Sequence, residues 1–362
     1  MTATAISAPN ALDPTPASLR IDEALARLRR EQPRLRALEA AQRLGISEAE
    51  LVALEGNPRL RPDFGAILRA MPELGEVMVL CRNHACVHER HGRYEKVSVN
   101  DGMGLVLGPD IDLRLFLNQW AYGFACRQQL PSGLRESLQF FDRHGAAVHK
   151  IYRLEQTDDQ AWERLVSTWI DPAPTTVLAE AVPASKPARA DFEIDLGGLR
   201  ADWQKLRDTH DFYALLRRHQ VQRPQAYRLV GAPLAYEVPR LAVSDLLDDL
   251  AVDGTPMMAF VGNRGAIQIH TGAISQVAWR GDWLNILDPS FNLHLDTRAI
   301  TQAWIVRKPT VDGVVSSLEI FDDAGELILQ LFGARKPGQP ERPEWRRALG
   351  RLLADREHEV TP

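Results

Sequence analysis

Ser137-Leu138-Gln139-Phe140-Phe141-Asp142 and Ser317-Leu318-Glu319-Ile320-Phe321-Asp322 are two versions of one segment, 180 residues apart. The same offset relates Asn83 to Asn263 (263 − 83 = 180), Gly92 to Gly272, Pro109 to Pro289, Leu113 to Leu293 and Gly145 to Gly325. Trp120 pairs with Trp304 after a short insertion, and the helical parts match at an offset of 210 − 35 = 175. Gly, Pro and Asn recurring at turn positions mean recurring backbone geometry. The chain is therefore an internal duplication.

Working outward, apolar spacing predicts helices over 18–32, 35–44 (ended by Gly45), a third capped by Ser47 and Glu50, and 62–71. Short apolar runs between Gly, Asn, Asp and Pro breaks follow from Glu76 to Tyr152 and read as an antiparallel meander. A helix around Trp162 to Trp169 closes the unit. The order then repeats: helices over 199–230, strands over 257–332, and a closing helix around 345–353. The expected fold is α+β with pseudo-two-fold symmetry, each half having N-terminal helices, a large antiparallel meander and a closing helix. The expected boundaries are a disordered tail (1–18), a first repeat (19–170), a Pro/Ala-rich linker (171–190), a second repeat (191–354) and a short tail (355–362).

Composition is that of a globular protein, 45% hydrophobic and 25% charged over 362 residues. A net charge of −5 without a Lys/Arg run gives no sign of nucleic-acid binding. No apolar stretch is long enough to span a bilayer, and the N-terminus does not read as a secretory signal. Three cysteines, Cys81, Cys86 and Cys126, fit a reducing compartment.

A duplication informs where its copies disagree. In Asp208 to His219, Asp208 or Thr209 is expected to cap a helix. Phe212, Leu215, Leu216 and His219 then share the core-facing stripe. His210 lies off that stripe in the first turn, where the positive helix end favours neutral imidazole. It is either an ordinary exposed histidine or a ligand for a metal or haem iron. The first copy has Leu35 there. His84, His88 and His91 are spaced like a metal cluster, but on a strand His91 points away from the other two. That leaves His88 as a lone ligand candidate. There is no phosphate loop, nucleophile elbow or dinucleotide glycine motif.

With Asp112-Leu113-Arg114-Leu115-Phe116-Leu117-Asn118-Gln119-Trp120, Phe260-Val261-Gly262-Asn263-Arg264-Gly265, Arg307-Lys308-Pro309-Thr310 and the opening hexamers laid out, the chain resembles the bacterial HemS/ChuS/HmuS family of hemin-degrading factors. The resemblance runs from the first helix to about Trp345. It implies haem in a cleft, with His210 as the proximal iron ligand and Arg114 as the distal, catalytic arginine. Arg223, Lys308 and Arg335 are implied to meet the propionates, and His88 to be an alternative ligand. The family often has Tyr where this chain has Phe332, so a hydroxyl contact to a propionate is missing. At the repeat offsets, His210, Arg223 and Arg335 correspond to Leu35, Glu48 and Glu155, and Arg114 to His294. One high-affinity haem site is therefore expected, built from the second copy with a distal contribution from the first.

The implied function is that of a cytoplasmic haem-binding protein of bacterial iron acquisition, receiving haem from an inner-membrane importer. Two readings stay open. One is a haem oxygenase-like enzyme fed by a reductase, releasing iron; the other is a carrier delivering haem to a separate haem oxygenase.

Overall fold

The computed structural model describes residues 16–33, 35–173, 176–184, 187–336 and 338–359. The expected tail over 1–18 thus falls mostly outside the described residues. Its end, however, is helical: Pro16 opens the first helix, a position where its missing N–H costs nothing. The closing helix likewise runs on to Glu359, beyond the expected end at 353.

The first copy opens with α1 (Pro16–Glu31), α2 (Ala37–Leu44), α3 (Glu48–Leu54) and α4 (Phe64–Ala70). Strands follow: β1 (Gly75–Arg82), β2 (Cys86–Arg93), β3 (Lys96–Asn100), β4 (Met103–Leu107), β5 (Asp112–Phe116), β6 (Trp120–Leu130), β7 (Gly133–Asp142) and β8 (Ala147–Thr157). Helix α5 (Asp159–Trp169) closes it. The second copy has α6 (Leu196–Gln204), α7 (Asp211–His219), α8 (Arg223–Val230), β9 (Ala235–Val238) and α9 (Ala242–Asp253). Then come β10 (Met257–Gly262), β11 (Ala266–Gly272), β12 (Val277–Arg280), β13 (Trp283–Leu287) and β14 (Phe291–Asp296). Strands β15 (Gln302–Thr310), β16 (Gly313–Phe321) and β17 (Leu327–Gly333) precede α10 (Pro343–Glu359).

Local signals hold where they were strong. Helix α2 stops at Gly45 (φ 68°), a left-handed position that glycine takes without a Cβ penalty. Ser47 and Glu50 form a reciprocal capping box on α3. Strand β9 and helix α9 occupy a stretch where no element was expected.

Neither meander stays whole. The sheets are entirely antiparallel, with orders β12-β13-β14-β2-β1-β8-β7-β6 and β3-β4-β5-β11-β10-β17-β16-β15-β9. Strands β3 to β5 of the first copy add to β11 of the second, while β12 to β14 of the second add to β2 of the first. Each sheet is thus completed by three strands of the other copy.

The repeated asparagines seal this exchange. Asn83 Nδ2 donates to the carbonyl of Gly262 at 3.3 Å, and Asn263 Nδ2 donates to that of Arg82 at 2.9 Å. Each turn is thereby tied to the matching turn of the other copy, and each bond contributes about 1 kcal/mol. Apolar clusters under the sheets enclose Trp162 of α5 and Trp345 of α10, both buried.

Candidate functional site

Four strands of the nine-stranded sheet align a strip of half-buried side chains. Register sets Arg114 of β5 opposite Ile267, Phe260 opposite Ile269, and Met258 opposite Phe332. Directly paired residues share a face, so these side chains form one strip. Their chain neighbours Leu113, Leu115, Met257, Ala259 and Leu331 point the other way and are buried. Arg114, Ile267, Met258, Phe260 and Phe332 are only half-buried. Helices α6 to α8 cover the sheet further along, over Trp304, Val306 and Phe321. An apolar shelf stays open beside them, three strand spacings wide from β5 to β17, roughly 14 Å. Phe260 and Phe332 meet on it with ring centroids 5.2 Å apart.

Arg114 is thus delivered to the second copy's cleft by the strand exchange. Its guanidinium is paired with Asp112, two residues earlier on the same face.

His210 stands at the helix side. The expected cap by Asp208 or Thr209 is corrected: His210 is itself the N-cap residue of α7, and Asp208 serves His210 instead. Asp208 Oδ1 accepts from the His210 backbone N–H at 2.9 Å and lies 2.6 Å from its Nδ1. That contact makes Nδ1 the donor to Asp208 and leaves Nε2 unengaged by it, the usual arrangement for a ligating histidine held by a carboxylate. The imidazole is 91% exposed. The His210 backbone N–H, then its imidazole, hold the Asp208 carboxyl below its usual range, with Arg335 contributing from further off. Arg335 itself pairs with Asp312 at 3.2 Å.

Arg223 and Lys308, implied by the resemblance to meet propionates, are both paired with Glu319. Lys308 Nζ donates to Glu319 Oε1 at 2.6 Å, and Arg223 Nη1 donates to Glu319 Oε2 at 3.0 Å. The Tyr227 hydroxyl and Ser317 Oγ also donate to this carboxylate, at 2.5 and 2.8 Å. Burial pushes the Glu319 carboxyl up, but the two cations outweigh it and hold it well below the usual range. Burial also lowers Lys308, against the pull of Glu319. Both cations face the Phe212 ring, at 4.6 Å for Lys308 and 5.6 Å for Arg223, and Lys308 lies 5.9 Å from the Phe332 ring. Phe212, Lys308, Phe332 and Phe260 therefore form a continuous chain of contacts from α7 onto the shelf.

Glu319 was missed by sequence reasoning, although it is the one polar mismatch within the opening hexamers, against Gln139. Glu48, the counterpart of Arg223, has a similar pairing in the first copy. Glu48 is buried and neutralised, by Lys150 Nζ at 2.7 Å and by Arg82. The two copies thus invert one pair: acid on helix α3 with cation on the sheet, against cation on α8 with acid on the sheet.

His88 is not a surface ligand. Strand β2 is paired on both sides, and His88 is fully buried between the sheets. Its Nδ1 sits 3.3 Å from the carbonyl of Gln268, its repeat counterpart, and its ring packs edge-on to Phe291. Burial draws it down to about 3. His84 pairs with Asp322 at 3.1 Å, and among the described residues no group of His, Cys, Asp and Glu is arranged to hold a metal. His219 lies half-buried at the end of α7, 3.0 Å from Asp202. Phe332 packs against Phe260 on the strip.

The Haemin-degrading HemS.ChuX domain matches residues 45–169 and 220–352. The chain is 43% identical to the hemin transport protein HmuS of Yersinia pestis, over 89% of this chain and 94% of that one. Holo-PhuS, a heme-binding protein from Pseudomonas aeruginosa, superposes with a TM-score of 0.88 at 49% identity, covering 91% of this chain and 97% of the other. The heme degrading enzyme ChuS of Escherichia coli O157:H7 gives 0.86 at 37% identity, covering 92% and 99%. No helix among the described residues is long and apolar enough to cross a membrane.

Proposed function

The chain belongs to the haemin-degrading HemS/ChuX family, and from that premise we propose that it receives imported haem in the cytoplasm and opens the ring to release iron. The observation that carries this reading is the Asp208–His210 contact, which holds an exposed imidazole with its Nε2 unengaged by Asp208. The donor set fits a ferric porphyrin. Ile267, Met258, Phe260 and Phe332 offer an apolar floor for the macrocycle. His210 would hold the iron through an imidazole nitrogen, and Arg114, on the strand side, would serve as a cationic donor. Arg335 is the cation best free to meet a propionate, by leaving Asp312 for it. Arg223 and Lys308 act through the field of their shared site around Glu319, with Arg223 the more exposed of the two, 24% against 3%.

When bound, the iron porphyrin supplies the redox chemistry, with dioxygen and an external reductase-type donor as co-reactants. The chain's own residues bind and orient it. Asp208 would orient His210, and Arg114 would stabilise negative charge developing on the bound group. A second reading, a carrier handing haem to a separate haem oxygenase, is favoured by the exposure of His210, since an uncovered ligand is easily exchanged.

The test is a hemin titration of the wild type and of His210→Ala, followed by addition of reductant and dioxygen with catalase present. Loss of the Soret shift in the variant, and ring-opened tetrapyrrole with free iron from the wild type, support the proposal. An unchanged titration would sink the role of His210, and bleaching only by peroxide would leave the carrier reading.

A further inference from the structure

Asp312 sits in the turn between β15 and β16, and its carboxylate ties separate segments together. Its Oδ2 accepts from Arg335 Nη1 at 3.2 Å and from the Gly338 backbone N–H at 3.0 Å. Thr310 Oγ1 accepts from the Asp312 backbone N–H at 3.2 Å and donates to the carbonyl of Gly313 at 2.7 Å, which holds the turn in shape. The neighbouring Val311 donates its backbone N–H to the carbonyl of Arg207 at 3.0 Å. Arg207 leads directly into Asp208, which holds His210, and the charge of Arg335 acts on Asp208. The β15–β16 turn, the stretch after β17 and the residues ahead of α7 thus meet beside His210.

A guanidinium and a backbone N–H converging on one oxygen make a receptor for a carboxylate. Asp312 fills that receptor from within the chain. The cations implied to meet propionates are paired in two ways that differ in how readily they open. Lys308 and Glu319 are 3% and 0% exposed, so parting them strands charge away from water. Arg335 and Asp312 are 21% and 22% exposed, and water takes over either partner at little cost. The repeat sets this second pair apart. Its counterparts are Glu155 and Ser132 (335 − 155 = 312 − 132 = 180), so cation and carboxylate are both confined to the second copy.

We infer that Asp312 is a resident competitor for the porphyrin carboxylate: it holds Arg335 and the Gly338 N–H, yields them to an incoming propionate, and takes them back when the porphyrin leaves. The inference rests on the proposed haem site at His210. Asp312 is then a specificity-determining residue, because only a ligand that brings its own carboxylate completes the exchange. It also eases release, because a departing propionate is replaced at once by an internal carboxylate.

The test uses the full chain as wild type, Asp312→Asn, Arg335→Ala and the double variant. Each is titrated with hemin and with hemin dimethyl ester, which lacks free carboxylates, and followed by Soret absorbance. Dissociation is timed by transfer of hemin to excess apomyoglobin, and circular dichroism verifies folding. Asp312→Asn keeps an acceptor for the Gly338 N–H and removes only the charge; if it does not fold, Asp312→Ser takes its place. It is expected to bind hemin about 2–5-fold more tightly and to release it correspondingly more slowly, the range set by an exposed ion pair. Affinity for the ester should stay the same, and the gain should vanish in the Arg335→Ala background. Hemin affinity that is unchanged, or that falls alike for hemin and its ester, overturns the inference and makes Asp312 a turn residue only. If hemin binding is lost in His210→Ala but unmoved by Asp312→Asn, the His210 site stands and this inference falls. A wild type that gives no Soret shift removes both.

Discussion

Lys308 and Glu319 form a 2.6 Å ion pair from which water is excluded, with Arg223 closing the other carboxylate oxygen at 3.0 Å. Removing one member of such a group is costly, because the remaining charges have nowhere to go. Glu319→Gln should leave two cations uncompensated and lower unfolding free energy by roughly 3–5 kcal/mol. Urea unfolding measures this. A loss below about 1 kcal/mol, the range of exposed pairs, would show that the pair does not organise the helix–sheet junction.

Asp208 orients His210 without touching anything bound to it. Asp208→Ala should weaken hemin binding by about 10–100-fold, as loss of a carboxylate behind a ligating imidazole does. Because His210 is highly exposed, thermal stability should hardly change. Equal losses in affinity and stability would instead assign Asp208 a purely structural part.

Arg114 lies on the shelf but not in the core. If the chain opens the ring, Arg114→Ala should slow turnover by roughly 10²–10³-fold while hemin affinity changes little, the pattern of a group that acts on developing charge. Single-turnover kinetics separate the two quantities, and parallel losses in both would mark Arg114 as a binding residue only.

Acid should unfold the chain through its interior histidines. His88, His149 and His270 are each drawn down to about 3 by burial. An unfolded imidazole takes its proton near 6.5, so between about pH 6.5 and pH 3 the unfolded state holds more protons. The stability these groups provide is complete above that window and falls as pH drops through it, by about 1.4 kcal/mol per pH unit for each group. His88→Gln, which copies the residue at its counterpart Gln268, should reduce that slope by about one group's share. Urea midpoints between about pH 7 and pH 4 give the slope, and an identical slope in the variant would exclude His88 from the acid transition.

Turn chemistry and repeat spacing made most of the fold legible. Gly45, the Ser47–Glu50 box and the paired Asn83 and Asn263 all mark in sequence what they do in space. The exchange of β3 to β5 and β12 to β14 left no such mark. A strand's pattern reports which face is buried, not whose edge it joins. Among site residues, His210 stood out because it lies off the apolar stripe where the first copy has Leu35, and Arg114 because of the resemblance. The burial of His88 and the pairing of Lys308 were hidden, since both depend on partners contributed from elsewhere in the sequence. Glu319 was within reach: a charged residue aligned with Gln139 in two hexamers that otherwise differ only by Phe140 against Ile320 invites the question of what neutralises it.

The reciprocal loan of three strands makes this chain a dimer written as a monomer. Two identical subunits must carry every substitution twice, so a histidine gained on one wall appears on both. Joining the subunits end to end removed that constraint. Each half still needs the other to complete its sheet, which keeps the frame symmetric, yet each side chain is free to change alone. Glu48 on a helix held by Lys150 of the sheet in one half, and Arg223 on a helix holding Glu319 of the sheet in the other, record that freedom: shared scaffolding, separately edited.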